Sequence, residues 1–420
     1  MPKTTSPSPR LHGIDLARAL AILGMVYAHV GPDAGTSLSN FGDNLTRGFA
    51  SATFAVLAGV SLSIMAVKPS ASTFHRLLVR GIILMALGTI LQVVQGSIAV
   101  VLIAIGIIFA LLPPVTRWRS RWVLALFLAF LVIGPGVQVL QQYLTTFAEV
   151  LGMPYPAVTW LTYGTLGILI HRHVVHSAVW QSACVILGAG IAAAGVSFRE
   201  PFSDKFQPDE LLGVFLSPEP HLGGLFDVLA SCGAASATIG GCLLLVRGAR
   251  QPLYPLRALG AMSLTFYVCH VITAGPILDH FNALQDPTAT TTAASTSALP
   301  PEVDPMEAHW EEYRELVRTA ENYSDFSSAE QQFYERIFQE PQAGGDAPEE
   351  PSRMPIFWAT LATGLLFAPL WLWFFRRGPL EWVMHRLIER AVAEPKPRPQ
   401  PQPKLGDSSP SGAESDTITS

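Results

Sequence analysis

Charged side chains are scarce in this chain. Asp, Glu, Lys and Arg make up 14% of its 420 residues, against about 25% in soluble domains. With 50% hydrophobic residues and a mean hydropathy of +0.35, this excludes a string of soluble domains, although the length would accommodate two or three. Cysteine is scarce too. Cys184, Cys232, Cys242 and Cys269 all fall in apolar stretches without metal-ligand spacing. They read as small core hydrophobes rather than as a disulfide framework, and no metal is expected. No P-loop, dinucleotide fingerprint, zinc-protease motif or nucleic-acid module is present, and "GTLGILIHR" around Gly164 lacks a Gly-rich phosphate pattern. Nucleic acid is therefore not an expected partner. The first apolar run also lacks the marks of a cleaved signal: it carries ionisable groups in its middle, and no small-x-small site follows. It is read as a retained helix.

What is abundant is apolar sequence in runs of about 20 residues, the length that spans a bilayer. Ten such stretches are expected as membrane helices, at about 12–31, 48–66, 76–95, 97–113, 121–139, 157–171, 179–196, 223–246, 257–276 and 355–375. Every second connection is basic. Lys3 and Arg10 precede the first span, and Lys68, Arg76 and Arg80 follow the second. Arg117, Arg119 and Arg121 precede the fifth, Arg172 follows the sixth, Arg247, Arg250 and Arg257 flank the next, and Arg376, Arg377, Arg386 and Arg390 follow the tenth. By the positive-inside rule both termini of this multi-pass protein of the cell membrane are expected in the cytoplasm. The fold class is then an all-α membrane bundle of about ten helices, with a core over 1–280 holding the first nine.

Residues 281–354 differ. They hold 15 acidic and 4 basic residues, a net of −11 in a chain whose total is −5. The stretch opens on the flexible tract "PTATTTAASTSALP", and Met306, Trp310, Tyr313 and Val317 then recur at helical spacing. It is expected to be an extracytoplasmic insertion with two short amphipathic helices, a docking surface for a second copy or an envelope protein. Residues 355–392 supply the tenth helix and an amphipathic cytoplasmic end. The Pro-rich tail 393–420 is expected to be disordered.

The opening helix carries the sharpest signal, in "RLHGIDLARALAILGMVYAHVG". A charge near the bilayer centre costs at least about 2.5–3.5 kcal/mol, yet Asp15, Arg18 and His29 all lie in this stretch. Arg18 and His29 are eleven residues apart, which leaves them about 20° from alignment on one face and about 16 Å apart along the axis. Asp15 is one turn from Arg18 and can pair with it, lowering the insertion cost of both. One face thus carries a cation towards the cytoplasm and a titratable base at the outer end. The plainer alternatives are a snorkelling ion pair and an interfacial histidine.

An Arg followed, after ten residues, by a His resembles the signature of the membrane acyltransferase-3 family. The wider phrases "GIDLARALAILGMVYAH", "FASATFAVLAGVSLSIMA", "RLLVRGIILMALG" and "SLTFYVCHVI" resemble the heparan-alpha-glucosaminide N-acetyltransferase type and its bacterial relatives. The terminal "RRGPLEWVMHRL" resembles the YeiB-like (DUF418) branch. The resemblance implies a transmembrane acyltransferase. Acyl-CoA, most simply acetyl-CoA, would be the cytoplasmic donor, and a glycan or glycolipid beside the membrane lipids the outer acceptor. It implies that His29 deprotonates the acceptor or carries the acyl group, and that Arg18 sits by the donor. Residues 30–74 contain no other histidine.

Further candidates follow from position. Arg76 and Arg80, one turn apart, suit CoA phosphates; as plain topology determinants they would have no ligand. Asp43, Asn44 and Arg47 precede the second span on the acceptor side, where ordinary loop polarity is the alternative. His221 and Asp227 in "SPEPHLGGLFDVLASCG" lie near the outer surface, and His270 with Tyr267 in the ninth span. His270 and His221 stand next to His29 as candidate bases. Two other classes compete: a transporter or flippase of envelope precursors, and a scaffold using 281–354 as a docking arm. No matched pair of Gly/Pro-broken spans, which would favour a transporter, is evident. Deleting 281–354 would abolish a scaffold's role and spare an enzyme core.

Overall fold

The computed structural model describes residues 11–31, 46, 48–67, 70–94, 98, 100–143, 157–199, 202, 211–220, 223–285 and 354–392. No strand occurs among the described residues. The helices are α1 (His12–Val30), α2 (Phe49–Met65), α3 (Ala71–Val94), α4 (Leu102–Leu111), α5 (Ser120–Tyr143), α6 (Ala157–His173) and α7 (Ala178–Ser197). They continue as α8 (Leu211–Leu216), α9 (Leu225–Gly248), α10 (Tyr254–Ala261), α11 (Ser263–Gln285), α12 (Met354–Phe374) and α13 (Pro379–Ala391). The segments 286–353 and 393–420, expected as insertion and tail, lie outside the described residues. Helix α11 runs to Gln285, beyond the expected start of the insertion at 281.

Among the described residues, six helices are long and apolar enough to cross a membrane: α1, α3, α5, α7, α9 and α12. A seventh span is formed if α10 and α11, bent by 79° at Met262, are taken together. Helices occupy the other expected stretches but are shorter. The 10 residues of α4 reach only about 15 Å, half of a hydrocarbon core. The run there meets Pro113 and Pro114, and a turn of 3-10 helix (Pro114–Arg117) replaces the α-helix, since proline has no N–H to continue it. The 17 residues of α2 and of α6 reach about 25 Å.

Helices α1 and α2 form the centre. α1 packs on α2, α9, α10, α11 and α12, and α2 is buried on nearly every face, as expected of a helix apolar all round. In the apolar windows of α1 and α9, 56% of residues are buried, against 11% in α7 and α12; the latter pair are peripheral. Close approach depends on missing side chains. A Cβ on Gly59 would strike the carbonyl of Gly164, and one on Gly167 that of Val56, so α2 and α6 meet backbone to backbone. Gly260 does the same for α10 against the Asp15 carbonyl. Apolar burial drives little association between helices in lipid, so small residues that let backbones touch supply the contact.

Basic residues expected to set topology are also tied into the fold. Arg172 donates to the carbonyls of Trp118 at 2.8 Å and Thr116 at 2.7 Å, closing the turn before α5. Arg247 donates from Nε to Gln181 Oε1 at 3.1 Å, joining α9 to α7. The cysteines are free thiols: Cys232 and Cys242 are buried, Cys184 is half-buried and Cys269 is exposed on the flank of α11.

Candidate functional site

Asp15, Arg18 and His29 share α1, and the structure gives each end of the helix its own polar centre. At the first end, Arg18 donates from Nη1 to Asp15 Oδ1 at 2.9 Å and from Nη2 to Ser61 Oγ at 2.6 Å. Ser61 in α2 donates its own O–H to the Leu57 carbonyl at 2.6 Å, so its lone pairs face the guanidinium. Two acceptors thus fix the Arg18 plane, and the half-buried pair carries its charge without a lone cation in the bundle.

Arg18 lines a cavity of about 250 Å³ together with Ser61, Arg80, Phe54, Phe109 and Glu381. Arg80 reaches it from α3, with its guanidinium 5.3 Å from the Phe109 ring centre. Its Nε is buried and has no hydrogen-bond partner among the described residues. A buried donor left unpaired costs about 1–3 kcal/mol, more when charged, so Arg80 is held in the wall of the cavity at a cost. Arg76, one turn earlier, is exposed and does not line it. The two arginines expected to act together therefore face different surroundings.

Glu381 is the main site residue not foreseen as such. It lies in α13, and its Oε1 accepts from the backbone N–H of Leu264 at 2.8 Å and of Thr265 at 3.2 Å, while Oε2 accepts from Thr265 Oγ1 at 2.5 Å. Thr265 Oγ1 in turn accepts from Leu380 N–H at 3.1 Å. The break at Met262 opens a new helix start inside the bundle, and a carboxylate from 116 residues away caps it. An anion at a helix N-terminus meets both free N–H groups and the positive end of the dipole. In sequence Glu381 looks like a first-turn acid of its own helix, behind the N1 proline Pro379; nothing local reveals that it caps another. Ser61 is likewise one of several small polar residues in an apolar helix.

At the other end of α1, His29 Nδ1 and His270 Nε2 lie 3.0 Å apart, with the rings nearly parallel at 10°. The residues are 241 positions apart in sequence, and His270 is buried. One ring must donate and the other accept. In the tautomer where His29 Nδ1–H donates, His29 Nε2 keeps its lone pair and is a base. Tyr267, one turn before His270, is buried, accepts from Val101 N–H at 3.0 Å and stacks on Phe54 at 6.0 Å. Phe54 also lines the cavity. A continuous packed route, Phe54 to Tyr267 and along α11 to His270, thus connects the two centres.

Asp227 lies at the His29 end, because α9 runs antiparallel to α1, with Gly13 against Leu243. Its carboxylate accepts from Gly223 N–H at 3.1 Å, and Ser231 Oγ approaches it at 3.5 Å. Gly48, at φ +80°, brings the backbone ahead of α2 beside it, a conformation that favours glycine. This buried carboxylate closes the turn at Gly223 ahead of α9. Asp43, Asn44, Arg47 and His221 lie outside the described residues. No protein-family model matches the chain, and no curated protein matches it.

Proposed function

We propose that this chain is a membrane-embedded acyltransferase. It moves an acyl group, most simply acetyl, from cytoplasmic acyl-CoA to a glycan or lipid hydroxyl or amine on the other side of the membrane. The observation that carries this reading is the double use of α1: Arg18 in a cavity with a second arginine at one end, and His29 paired with His270 at the other. In this reading the anionic donor enters at the Arg18 end, where Arg18 and Arg80 both line the cavity. The acyl-bearing arm follows the shared face of α1 over the roughly 16 Å to His29. The acceptor O–H or N–H gives its proton to His29 as its heteroatom attacks the thioester carbon. A C–O or C–N bond forms, the C–S bond breaks, and the leaving thiolate takes the proton back from His29, which is restored as a base. Basic connections at the Arg18 end support a cytoplasmic side for that end and for both termini, and the reading takes ten membrane-entering helices with 281–354 outside.

The test is His29→Ala beside His29→Asn, which keeps size and one hydrogen bond. Transfer of labelled acetyl groups from acetyl-CoA to envelope material is expected to be lost in both, with CoA binding retained. Near-parental transfer in His29→Ala would overturn the assignment of the base. One observation favours a second reading as a transporter of envelope precursors: the broken span at Met262, because interrupted helices frame many transport sites. Substrate counterflow in proteoliposomes, without any acyl donor, would support that reading over the first.

A further inference from the structure

Beyond acyl transfer, we infer that the groove between the end of α12 and helix α13 is a binding site for an anionic glycerophospholipid. The groove encloses about 1000 Å³ and is distinct from the cavity at Arg18. Its place in the fold comes first. Helix α12 is a peripheral apolar span that ends at Phe374 and turns through Arg376 and Arg377 into α13. The groove therefore sits at the depth where hydrocarbon gives way to headgroups, the level at which tryptophan and arginine are concentrated.

Its walls divide into two chemistries. One is aromatic: Trp371 stacks on Phe375 at 4.5 Å, and both line the groove opposite Trp382. Trp371 Nε1–H donates to the Arg377 carbonyl at 3.0 Å, which holds the turn and leaves the indole face towards an apolar chain. The other is cationic: Arg376, Arg377 and Arg386 line the groove, all exposed, and Arg386 lies over the Trp382 ring at 5.4 Å. Among the described residues that line it, Glu389 is the one acid, and it is 2.9 Å from His385 Nε2. Desolvation and then the neighbouring Arg377 lower the His385 pKa, so at neutral pH the groove carries the positive charge of its arginines less that of Glu389, and stays cationic.

Charge complementarity selects the occupant. A zwitterionic lipid would bring its own cation to three arginines, and a soluble phosphate ester would leave the aromatic wall uncovered. A phosphate on the arginines with an acyl chain along Trp371, Phe375 and Trp382 satisfies both, and the volume is at the upper end of that of small-ligand sites. The site also bears on the cavity. Helix α13 presents Trp382 and Arg386 to the groove, and Glu381 and Met384 to the cavity. A lipid in the groove steadies the helix that carries the cap of α11.

The full chain, reconstituted in nanodiscs of equal parts phosphatidylglycerol and phosphatidylcholine, is released into the gas phase and its retained lipids are counted by native mass spectrometry. The parent is expected to retain phosphatidylglycerol in preference. The R376Q/R377Q/R386Q variant should lose that preference by about tenfold or more, since each arginine near an anionic surface contributes appreciably. R117Q/R119Q/R121Q, which removes the same charge elsewhere, should keep it. Trp382→Ala removes the wall and no charge, and should also lower retention, so the inference stays open to refutation if the triple variant does not fold. Parental retention in R376Q/R377Q/R386Q or in Trp382→Ala would overturn the site, as would an equal loss in both triple variants. Displacement of the lipid by millimolar glycerol 3-phosphate would show a soluble phosphate-ester site instead.

Discussion

Replacing Glu381 by alanine should release the start of α11, and the structure sets the size of the effect. The carboxylate satisfies two backbone N–H groups and one hydroxyl at 2.8, 3.2 and 2.5 Å. Loss of a side-chain cap costs about 0.5–2 kcal/mol, and loss of an anion at the positive end of a helix adds about 0.3–1 kcal/mol. Water can reach the two amides through the adjoining cavity, so the full penalty for buried unpaired donors does not apply. A total of about 2 kcal/mol is expected for Glu381→Ala, and about half of that for Glu381→Gln, whose amide oxygen still accepts. The assay is unfolding in mixed micelles followed by circular dichroism, with hydrogen exchange at Leu264 and Thr265. Both amides should exchange about thirtyfold faster in Glu381→Ala, since 1.4 kcal/mol corresponds to a factor of ten. Glu389→Ala, on the exposed face of the same helix, should change stability by less than about 1 kcal/mol. Unchanged exchange at both amides in Glu381→Ala would refute the cap.

The same structure separates side chains that look alike in sequence. Gly167→Ala should destabilise the bundle by about 1–3 kcal/mol, because its Cβ would meet the α2 backbone at Val56. Gly190→Ala, with nothing within 4 Å of the added carbon, should be neutral or stabilising by up to about 1 kcal/mol through helix propensity. Equal effects of the two on thermal unfolding would contradict the backbone contact of α2 with α6. Arg80→Gln should weaken CoA binding by about tenfold or more through loss of a charged donor, while Arg76→Gln leaves it within about twofold. Isothermal titration decides between them, and the reverse order would remove Arg80 from the donor site.

Much of this protein is written in local patterns. An apolar run forces its backbone to bond internally, because hydrocarbon offers no partner, and helices accordingly occupy each of the ten apolar stretches. The three-residue spacing of Asp15 and Arg18 is a property of one helix, so their 2.9 Å pair was legible before any packing was known. The same holds for the shared face of Arg18 and His29. Where the pattern misled, part of the cause was also local: Pro113 and Pro114 end α4 at Leu111, before the apolar run is over.

Packing between helices decided the rest. Periodicity states which side chains share a face, but not what that face meets. Arg76 and Arg80 both lie at the start of α3, yet one is exposed while the other reaches the cavity beside Arg18. His270 meets His29 across 241 residues, and Glu381 caps a helix that begins 118 positions earlier, at Ser263. Such pairings depend on where backbones approach, which the carbonyl contacts of Gly59, Gly167 and Gly260 settle, and on the 79° break at Met262 that exposes two amides. The sequence by itself determined the helices and the charges each had to carry. Only the tertiary structure decided which charges meet, because in lipid helix partners are chosen by close fit and by unsatisfied polar groups rather than by the amount of apolar surface.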